Sequence, residues 1–387
     1  MSKLTFVTCL CLCVCFVKGQ WAIDDDGCNT PFRGYGSCVG IYSCQPLVTF
    51  LRNAPRPLSR ENADLIRSYQ CGFEQTNIKV CCPSDPGEIA RLVGSSSGGG
   101  GDGDPEAPDV SSHRNLRLLP EDCGRLSTDE RIINGNQTGL FEFPWMALLS
   151  YRLTNGPEFR CGGSIINNRY ILTAAHCITE LKYPILGVRV GEHDLRTKRD
   201  CETVKNRTTC APPVQDVAIE RLIVHPGYNR TSFTNDIGLI RLGSRLNFVA
   251  NIAPVCLPVT AELAAYNFSS RQVIVTGFGA TETGRNSPTL LKVQIPYIER
   301  SECRRVYQNA APITHKQLCA GGRNRQDSCG GDSGGPLQIA AAYLGEPKYV
   351  QQGITSFGPR NCGAEGNPGV YTRIAYFMDW ILDNISR

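Results

Sequence analysis

Twenty cysteines in a chain of 387 residues limit what this sequence can become more than any other feature. So many thiols suit an oxidising, extracellular setting rather than a reducing cytosol. Four of them, Cys9, Cys11, Cys13 and Cys15, lie in an apolar run from Leu4 to Val17 that follows Lys3 and ends at Lys18, Gly19 and Gln20. That run is shorter than the ~20 residues a helix needs to cross a bilayer. It fits a signal peptide over residues 1–19, absent from the mature chain. Sixteen cysteines remain, an even number, so a full set of eight bridges is possible. The formal charge of +4 is small for this length and gives no reason to expect nucleic acid or a membrane surface as partner.

The mature chain divides by composition. Residues 27–82 hold Cys28, Cys38, Cys44, Cys71, Cys81 and Cys82 with no large core between them. A segment this short rarely buries enough apolar surface unaided, so a disulfide-stapled module is expected. Residues 83–122 include Gly94-Ser95-Ser96-Ser97 and a glycine-aspartate run and read as a flexible linker. Residues 123–131 form a short connecting segment. From Ile132 to Arg387, short β-rich runs such as Met146 to Tyr151, Tyr170 to Thr173, Gln272 to Thr276 and Tyr349 to Thr355 alternate with turn signals. That pattern indicates an all-β sandwich or barrel pair. At the end, Ile374, Phe377, Trp380, Ile381 and Ile385 recur at helical spacing and predict a terminal amphipathic helix.

Three separated motifs carry chemistry. Thr173-Ala174-Ala175-His176-Cys177 offers a base, Asn235-Asp236-Ile237-Gly238-Leu239 a carboxylate to orient it, and Gly331-Asp332-Ser333-Gly334-Gly335-Pro336 a hydroxyl nucleophile. Peptide hydrolysis needs these parts together with N–H donors for the developing oxyanion, which the backbone of Gly331 and Ser333 can supply. The order His, Asp, Ser and the length of the match make residues 132–387 resemble the chymotrypsin-fold, trypsin-like serine proteases. The resemblance implies two packed six-stranded antiparallel β-barrels followed by a C-terminal helix, with His176, Asp236 and Ser333 in the cleft between the barrels.

The same resemblance assigns further roles. Asp327 occupies the floor of the primary specificity pocket, Ser328 lies beside it, and Gly358 and Gly369 form open walls, so the pocket suits arginine or lysine. Arg131-Ile132-Ile133-Asn134-Gly135 resembles the family's activation site. Cleavage after Arg131 would free the amino group of Ile132 to pair with Asp332 and order the oxyanion hole. The acidic Thr128-Asp129-Glu130 before the cut suggests a separate upstream protease as activator. Pro368 stands where sodium-binding relatives carry tyrosine, so no sodium dependence is expected.

By resemblance, Cys161 pairs with Cys177, Cys303 with Cys319, Cys329 with Cys362, and Cys123 with Cys256, which would keep the light chain attached after activation. Cys201 and Cys210 remain and close a local loop. The loop Gly191-Glu192-His193-Asp194-Leu195, with Asp200 and Glu202, gathers hard oxygen ligands. It resembles the calcium loop of trypsin-like proteases, implying Glu192, Asp194, the Thr197 carbonyl and Asp200 as ligands of a structural Ca²⁺. No cofactor for catalysis is expected.

Intervals of nine, five, twenty-six and nine residues between cysteines, ending in the adjacent pair Cys81-Cys82, resemble the clip domain of arthropod haemolymph proteases. That resemblance implies the pairings 28–81, 38–71 and 44–82. It also implies a secreted haemolymph zymogen in an innate-immune cascade. Its substrate would be prophenoloxidase, in melanisation, or a Toll-ligand precursor, and its inhibitor a serpin. The alternative is a catalytically inactive clip-domain adaptor; inactive relatives usually replace the nucleophile with glycine, whereas Ser333, His176 and Asp236 are all present here. Five sequons, at Asn136, Asn206, Asn229, Asn267 and Asn384, are candidate glycosylation sites.

Overall fold

A computed structural model describes residues 27–31, 35–53, 58, 60–74, 77–84, 105–126, 137–204, 206–280, 286–323, 331–359 and 365–387. The signal peptide lies outside the described residues. The chain forms two units, divided near residue 99.

In the first unit, β1 (Gly27–Asn29), β2 (Tyr35–Gly40), β3 (Gln70–Glu74) and β4 (Asn77–Pro83) form an antiparallel sheet in the order β1-β2-β4-β3. Helices α1 (Gln45–Asn53) and α2 (Arg60–Ser68) lie between β2 and β3 in sequence. The core is small: Cys44, Leu47, Phe50, Tyr69 and Val80 are its buried side chains. Bridges Cys28–Cys81, Cys38–Cys71 and Cys44–Cys82 supplement it, in the expected pairing. A core of this size leaves little net stability without such cross-links.

The second unit is built from two sheets. The first contains β5 (Met146–Leu153), β6 (Gly156–Asn167), β7 (Tyr170–Thr173), β8 (Ile185–Val190), β11 (Gln215–Val217), β12 (Ile219–Val224) and β13 (Gly238–Leu242), in the order β11-β8-β5-β6-β7-β13-β12. The hairpin β9 (Cys201–Val204) and β10 (Arg207–Cys210) stands apart from it, closed by Cys201–Cys210. The expected six-stranded barrel is here a curled seven-stranded sheet. Its two edge strands, β11 and β12, are consecutive in the chain and separated only by Ala218. The sheet therefore comes round on itself through one covalent residue rather than through a closing ladder. The second sheet is a closed six-stranded barrel, as expected, in the order β14-β15-β16-β19-β18-β17. These strands are β14 (Gln272–Gly277), β15 (Leu291–Ile298), β16 (Gln317–Ala320), β17 (Pro336–Tyr343), β18 (Glu346–Phe357) and β19 (Gly369–Arg373). Short helices α3 (Ala261–Ala264) and α4 (Arg300–Tyr307) flank it, with Thr260 capping α3 through its side chain.

Buried hydrogen bonds tie the two sheets together. The Trp145 indole donates to Gln338 on β17 at 2.9 Å, and Ser164 on β6 donates to Gln351 on β18 at 2.6 Å. These polar groups are fully buried yet paired, so they add directional register to an otherwise apolar contact. The chain ends in a 3₁₀ turn, Ile374–Phe377, followed by α5 (Met378–Asn384). Ile374, Phe377, Ile381 and Ile385 are buried against the first sheet's core, as their spacing predicts.

The flexible linker expected over residues 83–122 does not extend that far. Residues 105–122 lie within the second unit, and Val110 is buried in the same core as Trp145 and Ile381. Val110, Leu116, Leu118 and Leu119 are too few to mark a core of their own in the sequence, but enough to pack on one already formed.

Candidate active site

His176 lies in a 3₁₀ turn, Ala175–Cys177, that follows β7. Asp236 lies two residues before β13, the neighbour of β7 in the sheet. Their side chains meet at 2.8 Å, from His176 Nδ1 to Asp236 Oδ2, and the His176 backbone N–H donates to Oδ1 at 3.0 Å. A carboxylate can only accept there, so Nδ1 carries the proton and Nε2 keeps its lone pair. Asp236 is fully buried, whereas 21% of the His176 side chain is exposed. Ser356, at the end of β18, also donates to Asp236 Oδ2 at 2.5 Å, and Thr372 on β19 donates to its carbonyl at 2.7 Å. The curled sheet and the closed barrel thus grip the same aspartate. Sequence reading missed Ser356 and Thr372, since neither stands in a motif that points to Asp236.

Ser333 is brought to this pair through its neighbours. The Gly162 N–H donates to the Ser333 carbonyl at 2.8 Å, and Thr173, three residues before His176, donates to the Gly162 carbonyl at 2.8 Å. Gly334 has φ +78°, and a Cβ there would come within 2.2 Å of Thr173 Oγ1, 2.5 Å of the Gly162 carbonyl and 3.2 Å of Cys177 Sγ. No side chain fits beside Ser333, which is the physical reason for glycine. Gly331 has φ +103°, also in glycine's territory. Asp332 accepts a hydrogen bond from the Gly279 N–H at 2.8 Å and packs against Gly277 and Gly279.

Of the residues expected to set specificity, Gly358 and Gly369 face each other, a Cβ on the first lying 3.6 Å from the second's Cα. Asp327, Ser328, Arg131, Ile132, the Cys329–Cys362 pair and Asn136 lie outside the described residues. The other disulfides form as expected: Cys123–Cys256, Cys161–Cys177, Cys201–Cys210 and Cys303–Cys319. His176, Cys161 and Cys177 form the sole three-ligand cluster among the described residues. Both sulfurs are in one disulfide, so it offers no thiolate to a metal. An aromatic series, Phe233, Phe357 and Tyr307, runs from the His176 ring at 5.3–6.0 Å spacings, ending at the buried Tyr307.

In the acidic loop, Glu192 and Asp200 are buried. Asp200 gathers the His193 N–H at 2.8 Å, the Asp194 N–H at 3.3 Å and the Thr197 hydroxyl at 2.5 Å. Burial, then the charge of Asp200, pushes the Glu192 carboxyl pKa up despite Arg189 at 3.2 Å. Asp194 is turned aside, its carboxylate held by Arg196 at 2.7 and 2.9 Å. A cavity of about 280 Å³ opens between this loop and residues Gln137 to Leu140. Among the sequons, Asn206 is exposed at the β9–β10 tip with φ +62°. Asn229 and Asn267 are exposed, and the Asn384 amide is engaged by the Trp380 carbonyl at 2.8 Å.

A catalytic-type His–Asp pair beside a glycine-flanked serine, between a curled β-sheet and a closed β-barrel, defines a trypsin-like protease domain. Family comparison agrees: residues 132–381 match the trypsin family, and residues 28–82 match the regulatory CLIP domain of proteinases. The chain belongs to the clip-domain serine proteases of the trypsin family. It is 37% identical to serine protease grass of Drosophila melanogaster, covering 93% of this chain and 91% of that one. It is 36% identical to melanization protease 1 of the same species, over 92% of each. Phenoloxidase-activating enzyme 1 of Spodoptera litura is 36% identical over 93% of each. The crystal structure of Drosophila Grass, a clip serine protease of the Toll pathway, matches with TM-score 0.63, covering 92% of this chain and 96% of that one.

Proposed function

We propose that this chain is the secreted zymogen of an active serine endopeptidase that cleaves after arginine or lysine. The observation that carries the reading is the buried Asp236 holding His176 in the tautomer whose Nε2 can accept a proton. In the reaction, Ser333 Oγ attacks the scissile carbonyl carbon while His176 Nε2 takes its proton. Asp236 stabilises the resulting imidazolium, and the N–H groups of Gly331 and Ser333 donate to the oxyanion. His176 then returns the proton to the leaving amine, giving an acyl-enzyme. Water, deprotonated by the same imidazole, releases the acid and regenerates Ser333. Asp327 selects the cationic side chain, supported by the open wall at Gly358 and Gly369.

Cleavage after Arg131 by an upstream protease is the switch, with Ile132 pairing to Asp332. The printed names of relatives, a melanization protease, a phenoloxidase-activating enzyme and a clip protease of the Toll pathway, support a place in an extracellular melanisation or Toll cascade. In that reading prophenoloxidase or a Toll-ligand precursor is the substrate and a serpin the inhibitor. Seven disulfides among the described residues fit an oxidising compartment, and no helix among those residues is long and apolar enough to cross a membrane.

The acidic loop fits a structural Ca²⁺: Glu192 and Asp200 are two buried carboxylates whose mutual repulsion a hard cation would relieve. They would supply side-chain ligands, with main-chain oxygens of Asp194 and Thr197 completing the set. The ion would order the loop and take no part in the chemistry.

The decisive experiment combines sequencing and labelling. Active material should begin Ile-Ile-Asn-Gly and react with a serine-directed covalent inhibitor, and Arg131→Gln should stay silent. Cleaved protein that fails to label would favour the inactive adaptor. Incubation with each candidate precursor then identifies the substrate.

A further inference from the structure

Residues 105–126 precede the activation site and therefore belong to the light chain once Arg131 is cut. They contact both the curled sheet and the closed barrel. At one end, Val110 is buried in the core of the first sheet and α5, with Leu116, Leu118 and Leu119 packed against the same core. Asn115 donates its amide to the Leu382 carbonyl at 2.9 Å and the Ile385 carbonyl at 3.4 Å. The last carbonyls of a helix have no partner within it, so Asn115 caps α5 from outside. His113 Nδ1 accepts from the Asn115 N–H at 3.2 Å, which leaves Nε2–H to donate to Asp383 at 3.1 Å. Asn167, at the end of β6, donates to the Leu118 carbonyl at 3.2 Å.

At the other end, Cys123 is buried in the second barrel's core. The Gly124 N–H donates to the Pro254 carbonyl at 2.8 Å, and the Tyr349 N–H on β18 donates to the Gly124 carbonyl at 2.6 Å. Gly124 has φ +54°, and a Cβ there would lie 2.0 Å from the Tyr349 carbonyl. The main chain is pressed directly on the strand.

We propose that residues 105–125 are a strap that holds the clip-bearing light chain on the catalytic domain after activation, with or without the Cys123–Cys256 bridge. Two anchor points on one short segment reinforce each other, because release of one leaves the other to restore it. The processed enzyme would then carry its clip module as a subunit, and reduction of the bridge would not free it. The proposal rests on the reading that activation cuts after Arg131.

The test uses the full-length Cys123→Ser/Cys256→Ser protein, cut by the activating protease and followed by gel and by gel filtration. Two chains on the denaturing gel that co-elute one to one in native buffer are the expected result. Adding Val110→Asp and Asn115→Ala should then release the light chain. Separation of the chains in the double-serine protein alone would overturn the strap. Absence of any cut at Arg131 would instead count against the activation reading; a site-specific protease sequence placed within residues 127–131 then tests the strap independently. Should the double-serine protein fail to fold, hydrogen exchange on the cut, bridged wild type decides. The Leu116, Leu118 and Leu119 amides lie in turns that a docked strap protects, and exchange at random-coil rates would refute it.

Discussion

The Tyr151 hydroxyl donates to the carbonyl of Cys177 at 2.7 Å, one residue beyond the catalytic-type histidine. Burial pushes the phenol pKa up, so it remains a protonated donor across the working pH range. The turn bearing His176 is thereby held at its far end by a hydroxyl as well as by the Cys161–Cys177 bridge. Tyr151→Phe should lower stability by ~1–3 kcal/mol, the cost of leaving a buried carbonyl unpaired. It should also reduce kcat several-fold with KM nearly unchanged, since the imidazole rather than the substrate pocket is displaced. Thermal melting and steady-state kinetics on an arginine amide substrate check both.

Activation can be separated from cleavage at Gly279. A Cβ there would fall 2.5 Å from the Asp332 carboxyl carbon. Gly279→Ala should leave cutting after Arg131 intact but cost about 100-fold in kcat/KM, because Asp332 could not settle beside Ser333. N-terminal sequencing reports the cut, and burst titration reports the fraction of functional sites.

Selectivity should depend on Asp327. A charge-assisted hydrogen bond contributes ~1.5–3 kcal/mol, so Asp327→Ser should lower the preference for arginine over phenylalanine by about 10- to 150-fold. Matched peptide substrates measure the ratio directly. An unchanged ratio would remove Asp327 from the pocket.

Acid sensitivity should trace in part to His225. Its ring packs against Phe377 and Trp380, and Nδ1 accepts the Gly227 N–H at 3.0 Å. Burial first, then the nearby Lys316, holds its pKa below the ordinary value; Asp379 opposes this. The unfolded chain therefore binds the proton more readily, so this contribution is intact above about pH 6.5 and is lost as pH falls below it. The drop in Tm between pH 7.5 and pH 5.5 should be smaller in His225→Gln than in wild type. His193, whose pKa is also held down by burial, should preserve a residual slope.

Calcium removal should act on stability alone. A chelator should lower Tm while kcat on a small amide, measured below the melting range, stays within two-fold. Glu192→Gln should melt at the same temperature with or without the chelator. A wild-type Tm indifferent to chelation would leave the loop an acidic turn.

Much of the fold and site was legible because the signals are local. The motifs around His176, Asp236 and Ser333 are contiguous, and a short β-rich run bounded by turn signals marked Tyr170–Thr173 as a strand. Bridge partners followed from cysteine spacing and resemblance. What escaped was decided at long range. Ser356 reaches Asp236 across 120 positions of sequence, and Val110 and Asn115 acquire meaning only when α5, more than 260 residues later, is placed beside them. The split of one barrel edge at Ala218 was equally hidden, since a single residue between strands gives no turn signal.

Cys81 and Cys82 stand side by side on β4, yet their bridges run to different partners, Cys28 and Cys44. Successive side chains of a strand project from opposite faces, so β4 is pinned from both sides at one point along its length. Slipping by one residue would carry each sulfur to the wrong side. Proofreading is thus built into the covalent structure: a misregistered strand cannot close both bridges, and its open thiols stay exposed to exchange until the register is right. With a core cluster of five buried side chains among the described residues, the module draws its accuracy from sulfur chemistry rather than from packing.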